Sequence, residues 1–354
     1  MIPSKEIGEA LTTRVLRTVV EVEQIASDWR DLFHQSRATA FQSPDWLLPW
    51  IEVFSPHKIR MVEVRLAGRL IGLAPFLIYT RDSERFLAFM GGGVSDYLDL
   101  VVDPAFQSQV IAEILKLISA QEDWTVLDLT DLPQHSSLLR TPLLRDHSRE
   151  HIQCSVLHLP QSSKDLLDIF SKRQRANLRN ARSRLQRAGG GVIEIAAAEN
   201  VSQFLHDLFT LHTLRWSGQG QSGVLANDQV REFHKSSAPR LLDNGLLDLS
   251  RLRVGDRTAA VIYSLRWADT AYCYLQGFDP QFASLSPGTQ LMFSVISDTV
   301  RHGMRKFDFL RGQESYKQHW RADREPTFRI QLPRAALASA HAAQPAPVSA
   351  SFVL

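Results

Sequence analysis

The sequence is poor in the residues that make several functions easy to recognise. Its 354 residues include only two cysteines, Cys154 and Cys273, each alone in an apolar setting, which gives no disulfide framework and no thiolate metal site. Twelve histidines are scattered with no HExxH or comparable spacing, so no metal is expected. There is no Walker loop, GxGxxG fingerprint or nucleophile elbow, which sets aside ordinary NTPases, dehydrogenases and serine hydrolases. Excess charge is equally scarce. A formal net charge of +2 is too small to imply a nucleic-acid or membrane partner for the whole molecule, although it leaves local basic patches open. The most apolar run, LIGLAPFLIY, is about half the length needed to cross a bilayer. The opening MIPSKEIGEALTTR carries charges where a signal peptide needs an apolar core. The expectation is a cytoplasmic protein with no transmembrane segment.

What is present reads as globular, with 44% hydrophobic residues and enough length for two cores. RVLRTVVEVE reads as a β-rich run, and IASDWRDLFHQS as a helix on the spacing of Ile25, Trp29, Leu32 and Phe33. KIRMVEVRLAGRLIGLAPFLIYT gives two β-type runs about a hairpin turn at Gly68. RFLAFMGGGVSDYLDLVVDP reads as strand, glycine turn and strand; a helix, QSQVIAEILKLISAQ, and a strand, WTVLDLTDLP, follow. The second half repeats this order with a hairpin about Gly255, the strand TAYCYLQGFDP, the helix TQLMFSVISDTVRHG and the strand KFDFLRG. Gly68 falls in step with Gly255, Asp103-Pro104 with Asp279-Pro280, and Asp128 with Asp308. The reading is α/β, with two similar domains in tandem at 1–150 and 151–333, each a mixed sheet flanked by helices. The Ala- and Pro-rich tail, 334–354, is expected to be disordered.

Five stretches carry candidate chemistry. In SKRQRANLRNARSRLQRAGGG, Lys172, Arg175, Arg179 and Arg182 share one helical face, Arg173, Arg184 and Arg187 add charge, and no acid interrupts them. This is either a solvated face or an anion site with Arg175 and Arg179 at its centre. In SLSPGTQ, the residues Ser286, Pro287, Gly288, Thr289 and Gln290 open a helix whose first N–H groups suit a phosphate, though an ordinary helix start explains the spacing as well. GGGVSDYLDL is read as a strand with Tyr97 and Asp99 on one face and Asp96 on the other, which is either a site or a solvated edge. Arg215 and Trp216 close a helix before a Gly-, Ser- and Gln-rich loop, which is either a lid or a linker. Finally, DFLRGQESYKQHWR ends a strand and gathers Arg311, Glu314, Tyr316 and Lys317, where α/β folds place polar groups; a surface ion cluster is the alternative.

ATAFQSPDWLLPW, GGGVSDYLDL, LRWSGQGQSG and above all GFDPQFASLSPGTQLMFSVISDTVRHGMRKFDFLRGQESYKQHW resemble the GNAT-superfamily acetyltransferases of the CelD type, found with bacterial polysaccharide and cellulose biosynthesis. That family is similar in plan to the Fem-type aminoacyl transferases, which carry two tandem GNAT-like domains. The resemblance implies acyl transfer from acyl-CoA, acetyl-CoA in the simplest case, to an amine or hydroxyl of a glycan acceptor. It places the donor's pyrophosphate at SLSPGTQ, where Gly288 alone stands for the usual spaced glycines, so an acyl carrier protein or an aminoacyl-tRNA stays open as donor. It also implies that Lys317, with Tyr316, neutralises charge during transfer and that Asp96 binds the acceptor. Tyr97, Asp99, Arg215, Trp216, Arg311 and Glu314 would complete the substrate site. A non-catalytic subunit of a polysaccharide synthase complex is the remaining alternative.

Overall fold

The computed structural model describes residues 11–342 except Gln219 and Gln313, with only the backbone of Ser315, His341 and Ala342. The chain begins with β1 (Leu11–Leu16), α1 (Val19–Gln24), α2 (Ala26–Gln35) and α3 (Pro44–Phe54). Next come β2 (Met61–Leu66), β3 (Arg69–Ala74), β4 (Phe76–Arg81), β5 (Glu84–Phe89) and β6 (Val101–Val102). They are followed by α4 (Gln107–Ser119), β7 (Val126–Pro133), α5 (Pro142–Asp146) and β8 (Ser148–His158). The second half runs α6 (Lys172–Arg187), β9 (Val192–Ile195), α7 (Val201–Ser217), α8 (Asp228–Asp243), β10 (Leu247–Val254), β11 (Arg257–Trp267) and β12 (Thr270–Phe278). It ends with α9 (Pro287–Arg301), β13 (Lys306–Arg311), α10 (Ser315–Gln318), β14 (Asp323–Pro333) and α11 (Arg334–Ala342).

Two compact units result. The first holds residues 11–47, 55–152 and 326–342; the second holds 48–54 and 153–325. In the first, β1, β2, β3 and β6 form one sheet, and β4, β5 and β7 continue to β14. Its core gathers Val64, Ile71, Phe76, Val110, Ile114, Trp124 and Leu129 between these strands and α4. In the second, the order is β8, β13, β12, β11, β10, β9, with β12 and β13 parallel and the other pairs antiparallel. Helices α7 and α9 pack on this sheet, and α9 brings Leu291, Met292, Val295 and Ile296 against Ala260, Ile262 and Phe307.

The in-step residues of the two halves make the same contacts. Arg69 pairs with Asp103 at 3.0 Å and stands over the Phe106 ring; Arg257 pairs with Asp279 and stands over Phe282. Each aspartate caps a short 3₁₀ turn opened by proline. Its own N–H donates to the carbonyl two residues beyond the arginine, Ile71 in one half and Ala259 in the other. Those carbonyls belong to the residues left over at equivalent register shifts, between Arg65↔Leu70 and Val64↔Gly72 and between Arg253↔Thr258 and Leu252↔Ala260. An Arg–Asp–Phe clasp on a matching β-bulge, made twice, is far more than a shared element order requires.

Four expectations need correcting. The β-rich reading of RVLRTVVEVE holds only to Leu16, because Thr18 and Glu21 form a reciprocal capping box that starts α1. Residues 90–100 are not a strand: they leave the sheet after β5 as a glycine turn and irregular chain and return only at Val101, so pleat alternation does not set the directions of Asp96, Tyr97 and Asp99. The boundary at 333 falls differently, because Thr327–Pro333 of β14 pair antiparallel with β7 and so belong to the first unit. Arg334–Ala342 of the tail are helical, since alanine favours helix and Leu337 is fully buried in the first unit's core. Residues 343–354 lie outside the described residues. Among the described residues, no helix is long and apolar enough to cross a membrane and no group of side chains has metal-site geometry.

Candidate functional site

The second unit's sheet opens between two neighbouring strands. Parallel pairing of β12 with β13 runs from Thr270↔Lys306 to Tyr272↔Asp308, after which both strands change course. Tyr263 pairs with Leu275 and Ser264 with Cys273, so Tyr274 is the extra residue of a bulge in β12. Ala271 and Cys273 face the core shared with α9; beyond the bulge, Gln276 and Phe278 take that side and line a pocket. In β13, Leu310 adopts φ +59° beside Asp308, whose Oδ1 accepts the Leu310 N–H at 2.7 Å.

The pocket, of about 720 Å³, lies within the second unit. Its walls are one face of α6, the start of α9, the ends of α7 and β12, and the segment after β13. At one end Ser286 sits in the left-handed region (φ +53°, ψ +52°) and gives α9 no side-chain cap; this conformation is costly for a residue with a Cβ. Its hydroxyl accepts from Arg184 Nη2 at 2.8 Å. Pro287 has no N–H, and those of Gly288 and Thr289 in the first turn lack intrahelical acceptors. A Cβ on Gly288 would meet no protein atom, so a ligand can approach its backbone. Two free N–H groups, the positive end of a 15-residue helix and an arginine together suit a phosphate.

At the other end, Gln276 Nε2 donates to the Tyr316 hydroxyl, and the Arg215 guanidinium stands 5.7 Å from the Tyr316 ring centroid. Burial pushes the Tyr316 pKa far above that of ordinary tyrosine, followed by the influence of Cys273 and Glu314. The phenol is therefore protonated at neutral pH. Between the ends, Phe170, Leu178, Met292 and Trp320 supply apolar wall, and Gln174 and Asn177 supply amides.

The candidates from sequence divide accordingly. Ser286, Gly288, Thr289, Arg215, Glu314 and Tyr316 line the pocket together. Gln290 instead ties α9 to α6 through the Leu178 carbonyl. Arg175 pairs with Asp168, and Arg179 is exposed on the same helical face, whereas the pocket face carries Gln174, Asn177, Ala181 and Arg184. Trp216 packs beside His212. The Arg311 carbonyl is one of three, with those of Leu310 and Gly312, that accept from Lys317 Nζ. Lys317 is 3% exposed and ion-paired with Glu314 at 3.0 Å, so its ammonium fastens the end of β13. In the first unit, Ser95 accepts from Trp46 Nε1, the Tyr97 carbonyl accepts from Gln42, and Asp96 is buried. Asp99 accepts from the Leu100 N–H and the Ser136 hydroxyl, yet burial pushes it up to about 7. Sequence reasoning missed Gln276, because nothing in TAYCYLQGF marks the bulge that turns it inward. It named Arg184 only as added charge, because the seven cations of α6 look alike until one face docks.

Residues 172–318 match the family model described as an acetyltransferase (GNAT) domain. The fold is similar to that of FemX (TM-score 0.62, 12% identity, 91% of this chain and 97% of that one). It is also similar to the C-terminal domain of a putative lysylphosphatidylglycerol synthetase from Agrobacterium fabrum (0.55, 12%, 92% and 96%) and to L-PGS from Bacillus licheniformis (0.56, 12%, 86% and 91%). At such identities the likeness is one of fold. No curated protein sequence matches. The chain folds as two α/β units, each a mixed sheet flanked by helices, and the pocket lies in the unit that contains the stretch matching the acetyltransferase (GNAT) domain model.

Proposed function

We propose that the protein is an acyltransferase that moves an acyl group from acyl-CoA to an amine or hydroxyl of a sugar or polysaccharide precursor. One observation carries the reading: one pocket has a phosphate-suited helix start at one end and a part-buried phenol at the other, where β12 and β13 separate. The first-turn N–H groups of α9 and Arg184 hold the donor's phosphates. The acyl carbonyl lies toward Gln276 and Tyr316. As the acceptor attacks the carbonyl carbon and the carbon–sulfur bond breaks, the Tyr316 hydroxyl gives a proton to the departing sulfur and is restored by the proton the acceptor nitrogen or oxygen loses, while Arg215 offsets the negative charge that develops. Lys317 acts by holding the Leu310–Gly312 carbonyls, and with them Glu314 and Tyr316, in place. The glycan acceptor rests on resemblance to CelD-type proteins, and the cytoplasmic setting on the two lone cysteines, which suit a reducing compartment.

Thermal stabilisation tests the donor. Acetyl-CoA at a hundredfold excess over its Kd is expected to stabilise the fold by about 2.7 kcal/mol, with a smaller shift from the same concentration of an adenine nucleotide lacking the thioester arm. A shift from acylated carrier protein or charged tRNA alone would reassign the donor. No shift from any of them would favour a non-catalytic subunit of a synthase complex.

A further inference from the structure

Arg215 is a part-buried cation that makes no hydrogen bond and no ion pair among the described residues. It stands in the last turn of α7 and lines the pocket at the Tyr316 end. Its contacts are ring faces, since the guanidinium carbon lies 5.7 Å from the centroids of both Trp216 and Tyr316. Arg251, Arg266 and Arg329 are also part-buried, and each pairs with a carboxylate of its own unit. Rings take the faces of a guanidinium and leave its five N–H donors, which lie in its plane, for an acceptor. A planar fork held in this way suits a carboxylate, which accepts two parallel hydrogen bonds from it.

A carboxylate lines the pocket beside this cation site. Glu314 Oε2 is held 3.0 Å from Lys317 Nζ, and the side chain is 33% exposed. Its Oε1 accepts no hydrogen bond among the described residues. Glu314 and Arg215 are both close enough to Tyr316 to act on the charge of its phenol. One end of the pocket therefore offers a place for an anion, a place for an N–H donor and the phenol together.

We propose that the acceptor is an amine carrying its own carboxylate, an amino acid or an aminated sugar acid, with the carboxylate on Arg215 and the amine beside Glu314 and Tyr316. The inference rests on the acyl-transfer reading and narrows its acceptor. Two of the five guanidinium donors hold the carboxylate, and three remain to offset the charge that develops on transfer. An amine without a carboxylate leaves the fork desolvated and unpaired, which is how such a site rejects it. The acceptor arrives as a zwitterion and loses one ammonium proton to bulk water, and Glu314 accepts a hydrogen bond from an N–H that remains. The nitrogen then bonds to the carbonyl carbon and the carbon–sulfur bond breaks. Sulfur takes the Tyr316 proton, and the proton the nitrogen loses restores the phenol.

Matched probes test this on the full chain. L-alanine is set against L-alaninamide, and 2-amino-2-deoxyglucuronic acid against glucosamine, so that each pair differs at the carboxylate. By isothermal titration the acid of at least one pair should bind about 10- to 10²-fold more tightly than its neutral partner. Arg215→Met should abolish that preference, and Arg215→Lys should keep part of it, because an ammonium supplies the charge without the fork. With acetyl-CoA as donor, kcat/KM should show the same preference; loss of charge offset lowers both members alike, so only recognition moves their ratio. Equal affinity or no binding of both members in both pairs, or a preference that survives Arg215→Met, overturns the proposal. So does a preference for succinyl-CoA over acetyl-CoA that disappears with Arg215→Met, which would put the carboxylate on the acyl group. Binding of the acids without any binding of acetyl-CoA would sink the acyl-transfer reading and leave Arg215 as a carboxylate site.

Discussion

Tyr316 and Lys317 are adjacent, yet their surroundings differ, and the acyl-transfer reading gives them different work. Tyr316→Phe should lower turnover about 10²-fold or more and leave donor affinity within twofold, because the proton it gives matters mainly in the transition state. Lys317→Ala should instead cost about 3–5 kcal/mol in a denaturation experiment, because it leaves Glu314 and three carbonyls without their shared donor. An unchanged melting temperature with lost turnover would return Lys317 to the chemistry. Buried titratable groups give opposite pH signatures. His212 and His234 are pushed by burial down to about 4 and about 3; the unfolded chain binds those protons below about 6.5, so stability should fall as pH drops from 6.5 toward 4. Urea titrations should find about 2 kcal/mol per histidine lost by pH 5, and His212→Gln should flatten that limb. Asp99, raised to about 7, acts the other way: its stabilising proton is lost as pH rises from about 4 to 7. Asp99→Asn should remove that slope.

At the scale of elements, α6 shows why a charge pattern needs a docking partner before it has a meaning. Lys172, Arg175, Arg179 and Arg182 do share a face, as their spacing requires, but Leu185 and Ala181 are buried on the other and turn Arg184 toward the start of α9. Arg184→Ala should weaken acetyl-CoA binding about tenfold or more by isothermal titration. Charge reversal at Arg175 and Arg179 together should change it less than threefold at 0.15 M salt. An effect of the reversed order would place the phosphates on the exposed face. The bulge at Tyr274 is the other decisive element, since one extra residue lets Cys273 and Gln276 share a side of β12 that strict alternation would deny them.

For the molecule as a whole, the repeated clasp shows that the two halves share one plan in contacts as well as in order. Arg69 and Arg257 each join a hairpin to the 3₁₀ turn before the main helix, so alanine at either should destabilise its own unit by about 1 kcal/mol or more. Truncation after Glu325 should be far more damaging to the first unit, because it removes the strand opposite β7 and exposes Ile330, Leu332 and Leu337 side chains' places in the core. Circular dichroism melting of the truncated chain, with loss of a cooperative first-unit transition, would check this.

Local patterning determined much of this protein. Glycines at 68 and 255, the Asp-Pro pairs and the apolar periods were enough to place the hairpins, the main helices and the duplication, because turns, caps and amphipathic faces depend on neighbours in sequence. The same local chemistry singled out Ser286, Gly288, Thr289, Glu314 and Tyr316, which line one pocket. Tertiary structure decided what depends on pairing register and on partners far along the chain. The inward turn of Gln276, the face of α6 that meets the pocket and the burial of Lys317 and His212 are all of this kind. So is the return of β14 to the first unit, since strand pairing between Leu332 and Leu127 joins residues that no window of sequence contains together.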